Sequence, residues 1–236
     1  MNTYDSWATR LLGDREVHKE HAIVVISMFI VTALYEYLAS NYIPDFSINW
    51  YEFVGTWAGL SCVWLTRTQN VLCWPWGIVS SVAFGFFFKE IGLPGQQWLN
   101  WGYFLAIQLW AWPYWVFGGA NRTELKVTKL GMKGRVLTLA VLALGTYVIY
   151  RLIGQFAPGS LYPMLDALVV AASITAQYLL GRKIIESWWL WLGPVNLLSI
   201  VLFFTAGAYI VMALYVAFFI HAIFALREWC AEKKRI

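Results

Sequence analysis

The sequence predicts an all-α polytopic membrane protein of eight transmembrane helices: two parallel three-helix repeats joined by a linker helix, with one extra N-terminal helix. Three observations lead there. Of the 236 residues, 60% are apolar and only 13% charged, against about 25% charged in a soluble domain. Eight apolar segments can be cut from the chain, most of them close to the roughly 20 residues that a span requires. The basic residues collect on one side of those segments. This composition excludes a nucleic-acid binder, a secreted disulfide scaffold and a cytosolic enzyme.

The segments justify themselves in order. Residues 1–20 are polar and mixed in charge, unlike a signal peptide, and the first apolar run, 22–40, follows them. The second and third, 51–66 and 71–88, are parted by a few residues around Arg67. The fourth, 98–117, stops at the basic stretch 118–135. The fifth is 136–153, and the sixth, 162–181, ends at Arg182 and Lys183. The seventh, 187–206, is interrupted by Gly193-Pro194. The eighth, 208–226, runs into a basic tail. Domains follow these cuts: 1–49 as tail and extra helix, 50–117 as the first repeat, 118–154 as basic loop and linker helix, 155–228 as the second repeat, and 229–236 as the tail.

Lys and Arg fix the direction, because cytoplasmic loops carry them in excess. With the N-terminus inside, the inner face gathers Arg10, Arg15, Lys19, Arg67, Arg122, Lys126, Lys129, Lys133, Arg135, Arg182, Lys183, Arg227, Lys233, Lys234 and Arg235. Only Lys89 and Arg151 fall outside. A missed or invented span would scramble that bias, so both termini are expected in the cytoplasm.

A shift of 115 residues lays Arg67 on Arg182, Trp74 on Trp189 and Trp76 on Trp191. Spans two to four then overlie spans six to eight. A triplet is odd, so a direct fusion would invert the second copy; the fifth span restores the direction. Parallel repeats about an axis along the membrane normal are a transporter architecture, with substrate held between the repeats near the midplane.

Polar side chains within spans are expensive and default to function. Asp166, Ser173 and Gln177 form one stripe on the sixth span. Asn100, Gln108 and Trp112 share a face of the fourth, and Trp189, Asn196 and Ser199 a face of the seventh. Pro194 removes a donor and leaves the Leu190 carbonyl without its helical partner, and a broken helix beside a buried Asn points to a site. The candidate substrate-binding residues are Asn100, Gln108, Trp112, Ser173, Gln177, Trp188, Trp191, Asn196 and Tyr215. Each has a plain alternative, since amides and hydroxyls also join membrane helices. Asp166 reads as a helix-start carboxylate, Glu36, Glu52 and Arg151 as interfacial, and His221 as a packed histidine. Trp50, Trp98, Trp115 and Trp229 read as interfacial belts. Three Trp within residues 188–191 exceed what an anchor needs.

Several chemistries have no residues here. There is no Gly-rich phosphate loop, no central Lys for a Schiff base, and no hydrolase arrangement. Cys62, Cys73 and Cys230 have no metal-ligand or paired spacing. Neither catalytic residues, a metal nor a cofactor is expected. Amides that bind hydroxyls, with indoles that stack on a flat and preferably cationic ring, suit a hydroxylated aromatic small molecule.

The stretch Asp166–Trp229 resembles the C-terminal half of the PnuC family of nicotinamide riboside transporters. The resemblance rests on AQYLLGRKIIESWWLW, the mid-span Asn196 and the closing REW; WPWG (Trp74–Gly77) and QLWAW (Gln108–Trp112) fit the first half. It covers residues 50 to 230 and leaves the first span as an extension. Pro194 and Val195 beside Asn196 depart from the family pattern. The resemblance implies a SWEET-like three-plus-one-plus-three fold and facilitated diffusion of nicotinamide riboside across the bacterial inner membrane, with a cytoplasmic kinase trapping it. Related branches carry thiamine, riboflavin or deoxynucleosides. The expected partners are nicotinamide riboside and membrane lipid, with a surface that tolerates homo-oligomers and no nucleic acid. The alternatives are a SWEET-like sugar carrier and a substrate-binding membrane subunit that needs an energising partner.

Overall fold

The computed structural model describes residues 11–12, 15–42, 47–90, 94–156, 162–205 and 209–235. Arg10 and the boundary between the seventh and eighth segments lie outside the described residues. The helices are α1 (Arg15–Tyr42), α2 (Trp50–Arg67), α3 (Cys73–Glu90), α4 (Pro94–Trp98) and α5 (Leu105–Phe117), then α6 (Met132–Phe156), α7 (Pro163–Gly181), α8 (Glu186–Leu190), α9 (Leu198–Thr205) and α10 (Tyr209–Arg235). A π-helical turn, Leu99–Phe104, joins α4 to α5, and another, Trp191–Leu197, joins α8 to α9. Among the described residues the protein is helical apart from loops and one isolated bridge, Thr128 to Ile184. By length and composition α1, α6, α7 and residues 212–234 of α10 can each cross a membrane.

The chain divides into two compact units, Met1–Leu125 and Lys126–Ile236. In the first, α2 packs closely on α3 through small residues, which let membrane helices approach. Gly55 lies under Phe84, where a Cβ would come within 2.9 Å of the ring, and Ser80 donates to the Gly55 carbonyl at 2.9 Å. Asn49 caps α2 by accepting from the Tyr51 and Glu52 amides at 2.9 and 3.2 Å, worth about 1 kcal/mol. It also donates to Glu90 at 2.8 Å, tying α2 to the end of α3.

α1 is pinned to this unit by side-chain donors. Trp57 donates to the Val25 carbonyl at 2.9 Å, Asn70 to the Val17 carbonyl at 3.0 Å and to Glu20 at 2.9 Å, and Trp76 to His21 Nε2 at 2.7 Å. Glu36 is buried, not interfacial as the sequence suggested, and its Oε2 has no partner.

In the second unit α7 is buried on almost every side. Ala172 and Ala176 form a core with Val195, against which Leu142, Leu190, Trp191 and Tyr215 pack. The segment before α6 is clipped to the α7–α8 turn: Thr128 donates to the Lys183 carbonyl at 2.9 Å and Ile185 to that of Thr128 at 3.0 Å. Glu186 accepts from the Leu130 amide at 3.0 Å and pairs with Arg135 at 3.0 Å. Lys183, expected as a solvated loop charge, is 1% exposed, with φ 50°.

The units repeat each other, in a register that shifts along the chain. Gln69 and Lys183, 114 positions apart, both take positive φ. The turn bonds Asn70 to Leu65, Cys73 to Asn70 and Trp74 to Val71 recur as Ile184 to Leu179, Ser187 to Ile184 and Trp188 to Ile185. Trp74 stands edge-on to Trp115 at 4.9 Å and Trp188 to Trp229 at 5.4 Å. Thr32 and Thr146 each bond back to the carbonyl four residues earlier, at 2.8 Å. All these pairs are offset by 114, where the sequence suggested 115 throughout. The two π turns lie at different places in the repeat, so the offset becomes 115 only between them. A π turn inserts one residue into a helix. The turn at 191–197 lengthens the offset by one, and the turn at 99–104 removes the difference. Thr32 and Thr146, at the same offset, lie on α1 and α6.

Candidate functional site

The helix interrupted by the turn Trp191–Leu197 carries the densest set of buried polar atoms without partners in the second unit. They are the Trp188 and Trp191 Nε1 donors, the Asn196 Oδ1 acceptor and the Ser187 and Ser199 hydroxyls. Sequence spacing placed Asn196 with Trp189. The extra residue of the π turn instead brings Asn196, 1% exposed, onto the face of Trp188, 3% exposed, and leaves Trp189 61% exposed. Pro194 lies inside the turn, whose wider winding accommodates a residue that cannot donate.

The walls around this face come from α7 and α10. Ser173 and Gln177 are buried on α7, beside the Ala172–Ala176 step that packs against Val195. Tyr215 of α10 packs on the same step, with its ring 5.8 Å from Phe218, and its hydroxyl neighbours Ser199. Five predicted residues in the second unit, Ser173, Gln177, Trp191, Asn196 and Tyr215, therefore lie on or beside one small-residue step. Trp188 stands on the same helix face, edge-on to Trp229. Donors and an acceptor with no internal partner, set beside indole rings, can hold a hydroxylated ring; each polar atom left dry costs about 1–3 kcal/mol.

The first unit is organised differently. Gln108, buried on α5, donates from Nε2 to Ser81 Oγ at 3.0 Å, and its Oε1 has no partner. Trp74 Nε1, on the Ser81 face of α3, is also without an acceptor. The other two predicted residues bond within the protein. Asn100 sits in the π turn and donates to the Gln96 carbonyl at 2.9 Å. Trp112 donates to the Leu11 carbonyl at 3.0 Å, anchoring the segment before α1.

Trp74, Ser81 and Ser187 were not singled out as binding residues. For Trp74 the signal was its match to Trp188 at the offset of 114, hidden by the uniform offset of 115; Ser81 and Ser187 carried none. Trp115 and Trp229, expected at the interface, are fully buried as the partners of Trp74 and Trp188. Asp166 stands in the first turn of α7, as expected of a helix-start carboxylate. Among the described residues, no group of three or more His, Cys, Asp or Glu could hold a metal ion.

Comparison with known proteins gives a consistent picture. Residues 49–231 match the sequence family described as nicotinamide mononucleotide transporter. The nicotinamide riboside transporter PnuC of Escherichia coli K12 is 26% identical, over 78% of this chain and 86% of that protein. The riboflavin/roseoflavin transporter RibM of Streptomyces davaonensis is 27% identical, over 81% and 89%. PnuC of Neisseria mucosa is 25% identical, over 81% and 75%. A crystal structure of the vitamin B3 transporter PnuC superposes with a TM-score of 0.72 at 23% identity, over 97% of each chain. That likeness speaks for the fold.

Proposed function

The chain belongs to the nicotinamide mononucleotide transporter family, and from that premise we propose that it carries nicotinamide riboside across a bacterial inner membrane by facilitated diffusion. It is a transporter and not an enzyme. The observation that carries the substrate is the chemistry of the buried partnerless set in the second unit: two indole N–H donors, an amide oxygen and two hydroxyls. Nicotinamide riboside offers a flat cationic ring for indole faces and hydroxyls and a carboxamide for the polar atoms. The dephosphorylated form is favoured over the mononucleotide by charge. Among the described residues the one buried cation is Lys183, in the α7–α8 turn, and a phosphate needs charged donors.

The finer architecture belongs to this reading as well. Eight spans, with α4–α5 and α8–α9 each counted as one interrupted span, put both termini and the basic segment 118–135 in the cytoplasm. In this reading Gln177, Trp191, Asn196 and Tyr215 bind substrate in the second unit, and Gln108 binds it in the first. The likeness to RibM supports a second candidate, riboflavin, which also joins a flat ring to a hydroxylated chain.

Purified protein in sealed liposomes tests the proposal. Saturable equilibration of nicotinamide riboside without ATP is expected, with the mononucleotide excluded; equal entry of the mononucleotide, or preferred entry of riboflavin, overturns the assignment. Titration calorimetry tests the residues. Asn196→Ala, Gln108→Ala, Gln177→Ala and Trp191→Ala should weaken binding by roughly 5- to 150-fold, the equivalent of 1–3 kcal/mol. Unchanged affinity in all four folded variants moves the site elsewhere.

A further inference from the structure

We propose that Ser81 and Gly77 are positioning residues that hold the Gln108 amide with its carbonyl oxygen presented as a buried acceptor for a hydrogen-bond donor of the substrate. This rests on the reading of Gln108 as a substrate-binding residue.

Gln108 reaches across from α5 to α3, and its Nε2 ends 3.0 Å from Ser81 Oγ. Both residues are buried, so water does not compete for either group. With the nitrogen held on Ser81, the Oε1 atom faces away from it and meets no donor. A buried carbonyl left so would be costly in a purely structural contact. Its natural complement is a donor brought by the ligand, either a ribose hydroxyl or the carboxamide N–H.

Gly77 makes the arrangement possible. A Cβ there would lie 2.5 Å from Gln108 Oε1 and 2.8 Å from Cδ, with Cys62 Sγ at 3.1 Å behind it. Any side chain at residue 77 displaces the amide. The repeat gives this glycine a second meaning. At the offset of 114 its counterpart is Trp191, while Gln108 corresponds to Ala222, which is buried and small. The second unit fills the position with an indole from its own interrupted helix. The first unit empties it and fills the space with an amide from the neighbouring helix. Within the second π turn, where the offset passes from 114 to 115, Ser81 falls opposite Val195 and Asn196. The duplicated frame thus supports two different chemistries, an amide held by a hydroxyl in one unit and indoles with an amide in the other.

A double-mutant cycle on the purified full-length protein tests this, with nicotinamide riboside affinity from calorimetry and thermal unfolding without ligand. Gln108→Ala should weaken binding about tenfold or more. Ser81→Ala and Gly77→Ala should each weaken it several-fold, Ser81→Thr should restore it, and Ser81→Ala should add nothing in the Gln108→Ala background. Additive losses there mean that Ser81 acts through general packing and overturn the proposal. So does an unaffected Ser81→Ala beside an impaired Gln108→Ala, which leaves Gln108 itself in the site. Unchanged affinity in Gln108→Ala overturns both the proposal and that part of the site. Nicotinic acid riboside, which lacks the carboxamide N–H, separates the two donors: its binding is insensitive to Gln108→Ala only if the carboxamide is the group that bonds.

Discussion

Trp74 and Trp188 occupy the same place in the two units, each edge-on to a second buried indole and each with an N–H that meets no acceptor. An edge-to-face pair contributes about 0.5–1.5 kcal/mol beyond its burial, so the rings have a structural use that their N–H groups do not share. Phenylalanine keeps an edge and removes the donor, which separates the two. Phenylalanine is smaller than the buried indole and leaves a cavity, so Trp74→Phe and Trp188→Phe should lower unliganded stability by similar amounts, about 1–3 kcal/mol each. Only Trp188 shares a face with Asn196 and the π turn. Thermal shift with nicotinamide riboside should accordingly show reduced stabilisation in Trp188→Phe and ordinary stabilisation in Trp74→Phe. Equal losses in both would give the Trp74 N–H a ligand role as well. Periodicity could not make this distinction from sequence, because an indole near a helix end can face lipid or a neighbouring helix at the same spacing. For that reason Trp115 and Trp229 read as belts, whereas the amides Gln108 and Asn196, costly in any lipid-facing position, were legible.

The helices themselves were legible where apolar runs are bounded by charge or by Gly and Pro: α1, α6 and α7 each extend through or nearly match a predicted segment. The π turns were not, since one inserted residue leaves composition and mean spacing untouched while rotating everything beyond it by about 100°. The error in the predicted face of the seventh span, Trp189 in place of Trp188, follows from that rotation alone. Adding one more residue should move the face again. Inserting an alanine after Leu192 is expected to swing Asn196 about 100° away from Trp188 and abolish measurable binding of nicotinamide riboside while circular dichroism stays helical. Deleting Leu192 should instead leave Asn196 seven residues from Trp188, the spacing of Trp74 and Ser81 in α3, and cost far less affinity. Unchanged affinity in the folded insertion variant would mean that the face joining Trp188 to Asn196 is not the binding face.

At the scale of the whole chain, Thr32 and Thr146 put α1 opposite α6 at the offset of 114. If α1 and α6 are members of the repeat and α4–α5 and α8–α9 each cross once, each repeat crosses four times and returns to its starting side, so two copies in tandem are parallel without any inserted span. The basic residues, spread over every second connection, point to one side of the membrane. The match of the first and fifth spans was hidden, because lipid-facing helices retain little beyond apolarity: of α6 only Thr146 is buried. Both descriptions of the helices require residues 126 and 129 on the side of the termini and residue 48, before α2, on the other. In a variant lacking Cys62, Cys73 and Cys230, Ile48→Cys should therefore react with an impermeant maleimide on intact cells. Lys126→Cys and Lys129→Cys should react only after permeabilisation. Labelling of residue 126 or 129 from outside, with residue 48 protected, would invert the whole chain in the membrane. Labelling of residues 48 and 126 from the same side would mean an even number of crossings between them, and the eight-span count could not then stand.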